Sequence, residues 1–322
     1  MKSNKKVAVL SSGGDAPGMN AAIRAVVRKG IYHNLIVYGV FHGFEGLIRG
    51  DIQEMKVGSV ADIVHRGGTI LKTARSDEMF TIEGQQKAAN QLLERGIEAL
   101  IVIGGDGSYR GAQTLAELGI KVVGIPGTID NDIVGTDQTI GFDTAVNTVV
   151  DAVSKLRDTA TSHERAFIVE VMGRNCGDIA LRSGLAIGAE SILIPEIPFN
   201  LEEIGEKLLR GYRRGKHHSI IIVSEGSGDI KEISTKLKEY SGFDSRVTIL
   251  GHIQRGGAPS ASDSVLGATM GGKAVEVLLE GKSEVMISYI NNDIIDRPLD
   301  LAFGPRPPFN PELYNLANEL AI

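Results

Sequence analysis

Apolar residues along this chain gather in short, nearly unbroken runs rich in Val and Ile, at 7–12, 36–41, 99–105, 122–127, 166–173, 191–196, 219–225 and 247–251. Runs without polar alternation are expected of strands covered on both faces. Between them the spacing changes. Met19, Ala22, Ile23, Val26, Val27 and Ile31 fall on one side of a predicted helix, as do Ala145, Val149, Ala152, Val153 and Leu156. Strands alternating with helices predict an α/β fold, doubly wound, with mostly parallel sheets and helices on both faces. Ligands of such sheets collect where the loops leave the carboxyl ends of the strands. The unusual residues sit in those loops: 11–15 (Ser-Ser-Gly-Gly-Asp), 104–108 (Gly-Gly-Asp-Gly-Ser), 126–132 and Glu225. No repeat, low-complexity segment or Pro/Gly/Ser-rich linker stands out, so the length of 322 residues alone suggests two domains.

Composition narrows the function. Hydrophobic residues at 42% and charged residues at 23% describe an ordinary globular protein. A formal net charge of −6 argues against nucleic acid or a membrane surface as partner, so any anionic ligand needs a local cluster of Arg and Lys. A single cysteine, Cys176, forms no internal disulfide and fits a reducing compartment. The apolar run at 7–10 is too short for a signal-peptide core or a membrane span, and the expected location is cytoplasmic.

Two segments carry the chemistry of phosphate loops. In 99–112 an apolar run enters Gly-Gly-Asp-Gly-Ser and then a helical pattern. Glycine lets a phosphate reach the backbone N–H groups, and the helix start adds partial positive charge. Asp106 suits magnesium, a hard cation that prefers carboxylate oxygen. The competing reading is a tight turn with Asp106 or Ser108 as the helix N-cap. The segment 7–18 repeats the design with Gly13, Gly14, Asp15 and Pro17. Neither is a Walker A sequence, and neither has the G-x-G-x-x-G spacing of a dinucleotide site.

The segment 124–132 ends a run and places Asp130 and Asp132 two residues apart. A carboxylate aimed at an acceptor hydroxyl can take its proton during phosphoryl transfer. A solvated turn is the bland alternative. In the second half Arg165, Arg174, Arg246, His252 and Arg255 lie at the ends of apolar runs, where they can surround a phosphate, and Glu225 can accept hydrogen bonds from sugar hydroxyls. Singly, each is a common surface residue.

Taken together, Ser12-Gly-Gly-Asp-Ala-Pro-Gly-Met-Asn20, Ile103-Gly-Gly-Asp-Gly-Ser-Tyr109, Pro126-Gly-Thr-Ile-Asp-Asn-Asp132, Val171-Met-Gly-Arg174 and Leu250-Gly-His-Ile-Gln-Arg-Gly-Gly257 resemble the ATP-dependent 6-phosphofructokinases of bacteria, in the correct order and over nearly the whole chain. The resemblance implies two doubly wound domains, 1–141 with about 254–304 for ATP and 142–253 with about 305–322 for the sugar phosphate, and an active site in the cleft between them. It implies transfer of the γ-phosphoryl group of ATP to the 1-hydroxyl of fructose 6-phosphate. Asp130 is then the base, with Thr128, Asp132 and Arg174 assisting.

For ATP the resemblance implies Gly14, Phe44, Arg75 and Ser76, together with Gly105, Asp106, Gly107, Ser108 and Gly111, with Asp106 positioning Mg2+. For the sugar phosphate it implies Thr128, Asp130 and Asp132, then Met172, Gly173, Arg174, Glu225, His252 and Arg255. Arg165 and Arg246 reach in from a neighbouring subunit of a homotetramer. An effector site for ADP or phosphoenolpyruvate is implied near Arg24, Arg28, Asp62 and Arg157, with Gly188, Glu190, Arg214, Lys216 and His218. Arg24 and Arg28, four apart on one helix face, suit one phosphate.

The chain departs from the family pattern in places. Ser76, Asp77 and Phe80 follow Arg75 where an aromatic or Cys, a Pro and a basic residue are usual, which removes one phosphate-facing charge. Val57, His217 and Ser264 stand where regulated members carry basic residues, so weak effector control is expected. Gly107 and Gly127 match ATP users, because pyrophosphate users tend to carry Asp and Lys there. The alternatives are a pyrophosphate-dependent enzyme, a non-catalytic nucleotide sensor, which predicts a damaged acid loop, and a dinucleotide oxidoreductase, which needs a better glycine fingerprint.

Overall fold

In a computed structural model, which describes residues 5–163, 166–216, 218–242, 244–306 and 309–321, the unbroken apolar runs become strands with buried flanks. The chain begins with β1 (Lys6–Ser11), α1 (Met19–Tyr32), β2 (Ile36–Val40), α2 (Gly43–Arg49), β3 (Ile52–Glu54), α3 (Ile82–Glu94), β4 (Ile97–Gly104), α4 (Asp106–Glu117) and β5 (Lys121–Pro126). It continues with α5 (Phe142–His163), β6 (Ala166–Val171), α6 (Asp178–Ile187), β7 (Ser191–Leu193), α7 (Leu201–Arg213), β8 (Ser219–Ser224), α8 (Ile230–Ser241) and β9 (Ser245–Ile249). It ends with α9 (Ala261–Leu279), β10 (Val285–Ile290), β11 (Asp293–Pro298) and α10 (Glu312–Leu320).

Two compact units result, Met1–Asp143 with Arg255–Arg306, and Thr144–Gln254 with Pro307–Ile322. The first holds a seven-stranded sheet in the order β11-β10-β5-β4-β1-β2-β3. Strands β2, β1, β4, β5 and β10 run parallel, and β3 and β11 are antiparallel edges. The second holds four parallel strands in the order β7-β8-β6-β9. The architecture is the expected α/β class with mostly parallel sheets.

Burial explains why the central strands are legible. Leu100, Ile101, Val102 and Ile103 of β4 are fully buried, as are Ala8, Val9 and Leu10 of β1. Each large aliphatic side chain removed from water contributes about 1.5–3 kcal/mol. On α1 the predicted face is the buried one: Met19, Ala22, Ile23, Val26 and Val27 have no exposed surface.

Three strands escape the pattern of apolar runs. β3 has three residues, and β10 and β11 form a hairpin across Asn291 and Asn292, both at positive φ. Asparagine tolerates that conformation, and β11, the sheet edge, reads Asp-Ile-Ile-Asp-Arg-Pro and so offers no apolar run. One expectation is corrected: β9 is not covered on both faces. Val247 is 38% and Ile249 56% exposed, because β9 is the edge of its sheet and pairs only with β6. Among the described residues no helix is long and apolar enough to cross a membrane.

Candidate functional site

In the first unit the chain passes from β1 to β2 on one side of the sheet and later to β4 on the other. The loops after β1 and β4 therefore leave the sheet side by side at a topological switch point, where α/β sheets bind ligands. Ser12 N–H donates to Ile103 O at 2.9 Å, and Gly127 N–H donates to Gly104 O at 3.0 Å, so three loops are tied together. Gly104 is required by this junction. A Cβ there would lie 2.4 Å from Ser108 Oγ and 2.5 Å from Ser12 O.

The N-cap of α4 is Gly105, and no side chain caps it. The reading of Asp106 or Ser108 as the cap is thus corrected: Asp106 is the first helical residue, and Ser108 is buried. The leading N–H groups of α4 are left for an external acceptor, which fits an anion. Open space surrounds the Cβ directions of Gly105 and Gly107. Asp106, carried at this uncapped start, suits Mg2+, which usually needs one or two carboxylates and takes its other ligands from phosphates and water. Among the described residues no cluster of three metal-ligating side chains offers another site.

Around this start the other expected nucleotide residues divide. Gly14 lies beneath Arg255, whose Nη1 would be 2.1 Å from a Cβ at Gly14 and donates to Asp15 O at 3.3 Å. Arg75 is exposed, and Ser76 Oγ donates to Glu45 Oε2 at 2.9 Å. Phe44 is a core residue, 6% exposed, with its ring 2.8 Å from the Cβ position of Gly111. Phe80 is 88% exposed. Tyr109 anchors α4 from below: it is fully buried, and burial drives its phenol well above the usual range.

The acid loop is held on several sides. Thr128 N–H donates to Ile140 O at 3.1 Å, and Thr139 Oγ1 donates to Thr128 O at 2.6 Å. Asp130 N–H donates to Thr128 Oγ1 at 3.2 Å, while Asn131, at φ 52°, accepts from Thr139 N–H at 3.0 Å. Asp130 is 2% exposed, and Asp132 Oδ2 lies 3.5 Å from Arg306 Nη2. Buried Asp263 accepts from Gly141 N–H at 2.8 Å and fixes the end of the segment. This is no solvated turn.

Asn131, Thr139, Asp263 and Arg306 are the residues that sequence reading missed. Only Asn131 lay inside a recognised motif, and no local pattern ties Asp263 or Arg306 to the loop. Thr139→Val preserves shape and removes the donor to Thr128 O. We expect a loss of about 1–2 kcal/mol in denaturant unfolding.

In the second unit Met172, Gly173 and Arg174 follow β6, and Glu225 follows β8. Glu225 Oε1 accepts from Gly173 N–H at 3.2 Å and Arg174 N–H at 2.8 Å. Met172 N–H donates to Gln254 Oε1 at 3.2 Å. Arg174 has φ 52°, uncommon for a side chain of this size, and this bonding holds it there. Burial, reinforced by repulsion from Glu225 and Asp229, pushes the Glu170 carboxyl above its usual range. Arg246 and His252 are exposed, and Arg165 lies outside the described residues.

The expected effector residues fall in both units. Arg24 and Arg28 lie on α1, and Asp62, at φ 56°, is exposed beside His65. In the second unit Arg157 donates to Ile187 O next to Gly188, the C-cap of α6. Buried Glu190 accepts from Ile220 N–H and pairs with Lys216 at 2.5 Å. Arg214 caps α7, and His218 is half-buried. Val57 is 48% exposed, Ser264 lies in α9, and His217 is outside the described residues.

Residues 6–278 match the family described as Phosphofructokinase. The chain is 56% identical over 318 residues to the ATP-dependent 6-phosphofructokinase of Shouchella clausii, covering 99% of this chain and 100% of that protein. It is equally similar, over the same shares, to the ATP-dependent 6-phosphofructokinase of Bacillus subtilis. The structure of phosphofructokinase from Saccharomyces cerevisiae superposes with a TM-score of 0.87 at 39% identity, over 99% of this chain and 48% of the yeast chain, so this chain spans about half that length. A pyrophosphate-dependent phosphofructokinase from Marinobacter aquaeolei, 24% identical with a TM-score of 0.82 over 92% of this chain and 83% of its own, shares the fold.

Proposed function

This chain belongs to the phosphofructokinase family, and from that premise we propose that it transfers the γ-phosphoryl group of ATP to the 1-hydroxyl of fructose 6-phosphate, giving fructose 1,6-bisphosphate and ADP. The observation that carries this reading is the buried carboxylate of Asp130, in a loop held by several hydrogen bonds and tied through Gly127 to the loop before an uncapped, glycine-lined helix start. Asp130 accepts the proton of the attacking hydroxyl, while Thr128 and Asp132 keep the loop in place. The N–H groups at the start of α4 and the exposed Arg75 receive the phosphates of ATP. Asp106 would hold Mg2+, which when bound would supply charge neutralisation to those phosphates.

Arg174, His252 and Arg255 supply positive charge to the sugar phosphate, as do Arg165 and Arg246 from a neighbouring subunit of a homotetramer. Phosphoryl transfer leaves little covalent work to a protein, so the rate depends on position and charge. ADP or phosphoenolpyruvate acts at the effector residues, weakly because Val57, His217 and Ser264 lack the fixed positive charge of Lys or Arg. The protein works in the cytoplasm.

Gly107 and Gly127 support ATP over pyrophosphate as donor. Space is open at Gly107, whereas a Cβ at Gly127 would already lie 3.0 Å from methyl carbons of Ile103 and Met19. A coupled assay with fructose 6-phosphate tests the donor: turnover with ATP is expected, and a clear preference for pyrophosphate overturns this reading. Glu225→Ala should lower kcat/KM for fructose 6-phosphate by about tenfold, because two backbone N–H groups lose their acceptor and the Arg174 turn relaxes. Glu225→Gln, which keeps an acceptor oxygen, should lose less; steady-state kinetics on both variants checks this.

A further inference from the structure

The segment after β11 runs as a strap over the first unit. Leu299 and Ala302 sink into the same apolar cluster as Tyr109 of α4 and Ile133, which follows the acid loop. Leu299 N–H donates to Glu284 O at 2.9 Å, and the Arg110 guanidinium of α4 lies over the Phe303 ring, 4.7 Å from its centre. The strap thus packs on both elements that carry the candidate site. It ends at Arg306, the last residue of the unit. Arg306 Nη2 donates to Asp132 O at 3.3 Å and lies 3.5 Å from Asp132 Oδ2.

Stability does not account for this contact. The Arg306 side chain is 40% exposed against 13% for Asp132, and ion pairs with a solvated member hold folds weakly. Leu299, Ala302 and Phe303 already seat the strap. What the contact does fix is Asp132, two residues from Asp130 in a loop that turns through Asn131 at φ 52°. Asp130 is 2% exposed, and carboxylates this close along a chain repel each other more strongly as water is excluded. A cation on Asp132 offsets that repulsion and gives the second carboxylate a fixed place. Pro305 and Pro307 flank Arg306 in the sequence and restrict its backbone, so its side chain springs from a stiff base.

We propose that Arg306 is a positioning residue for phosphoryl transfer. Acting through Asp132, it holds the acid loop so that the Asp130 carboxylate faces the attacking hydroxyl. This role rests on the reading of Asp130 as the base, and it adds a determinant of rate that lies outside every motif of the sequence. The same nitrogen makes both contacts with Asp132, so a single terminal cation suffices and the planar fork of arginine is not required. Its effect falls on turnover and spares substrate affinity.

Steady-state kinetics of the full chain with ATP and fructose 6-phosphate tests this. Arg306→Met, which keeps the stem and removes the charge, should lower kcat about tenfold and change both KM values by less than about twofold. Arg306→Lys should recover most of the loss. In an Asp132→Asn background, Arg306→Met should lower kcat further by less than about twofold, because the partner is already gone. The thermal unfolding midpoint of Arg306→Met should stay near that of the unaltered chain. Unchanged kcat in Arg306→Met, a loss confined to KM, an equal loss in Arg306→Lys, the full loss in the Asp132→Asn background, or a collapsed midpoint would each overturn this role and leave the proposed reaction standing. No turnover of fructose 6-phosphate by the unaltered chain would overturn both.

Discussion

Replacing Asp130 with Ser should lower turnover with ATP and fructose 6-phosphate by about 10²–10⁴-fold, the range for loss of a general base. The backbone bonds that hold the loop do not depend on the Asp130 side chain. Thr128 N–H still reaches Ile140 O, and Thr139 still reaches both Thr128 O and Asn131 Oδ1. Ser is smaller than Asp, so the buried position accommodates it. Binding of both substrates, read by equilibrium titration, should therefore survive while kcat falls. Near-normal turnover by a variant that binds both substrates would remove Asp130 from the role of base and leave the acid loop as a structural element.

Gly107→Asp should cost about 100-fold in kcat/KM for ATP, because opposing like charges at a binding site costs several kcal/mol. The position is informative because a Cβ at Gly107 meets no neighbour within 4 Å. The folded chain should tolerate the substitution, and a carboxylate in the first turn of α4 even suits the helix dipole. A normal thermal unfolding midpoint with a large loss of ATP use would place the damage in phosphate binding. Gly107→Ala supplies the control: it adds volume without charge, and its smaller loss separates steric from electrostatic effects. If Gly107→Asp keeps full ATP kinetics, the start of α4 is not where the phosphates lie.

Glu225 illustrates what three dimensions add to a residue selected from sequence. Its position after an apolar run suggests contact with sugar hydroxyls, yet one of its oxygens is committed to the Gly173 and Arg174 amides. Phe44 is a parallel case, chosen through a family resemblance and found in the core beneath Gly111. At α4 the sequence offered Asp106 or Ser108 as the helix cap, and the backbone places Gly105 there instead. In each case the residue type was legible and its partner was not.

What the sequence by itself determined is the α/β class, the central strands and the loops that follow them, where the candidate site lies. Strands buried on both faces must be apolar without interruption, and glycine and aspartate favour the turns that follow them. What only the tertiary structure decided is how those loops are held. Asp263 and Arg306 reach the acid loop from more than a hundred residues away, β9 proves to be an exposed edge, and β10 with β11 closes the sheet as a hairpin. Periodicity and motifs record local geometry, whereas edge position and long-range hydrogen bonds depend on which strands become neighbours.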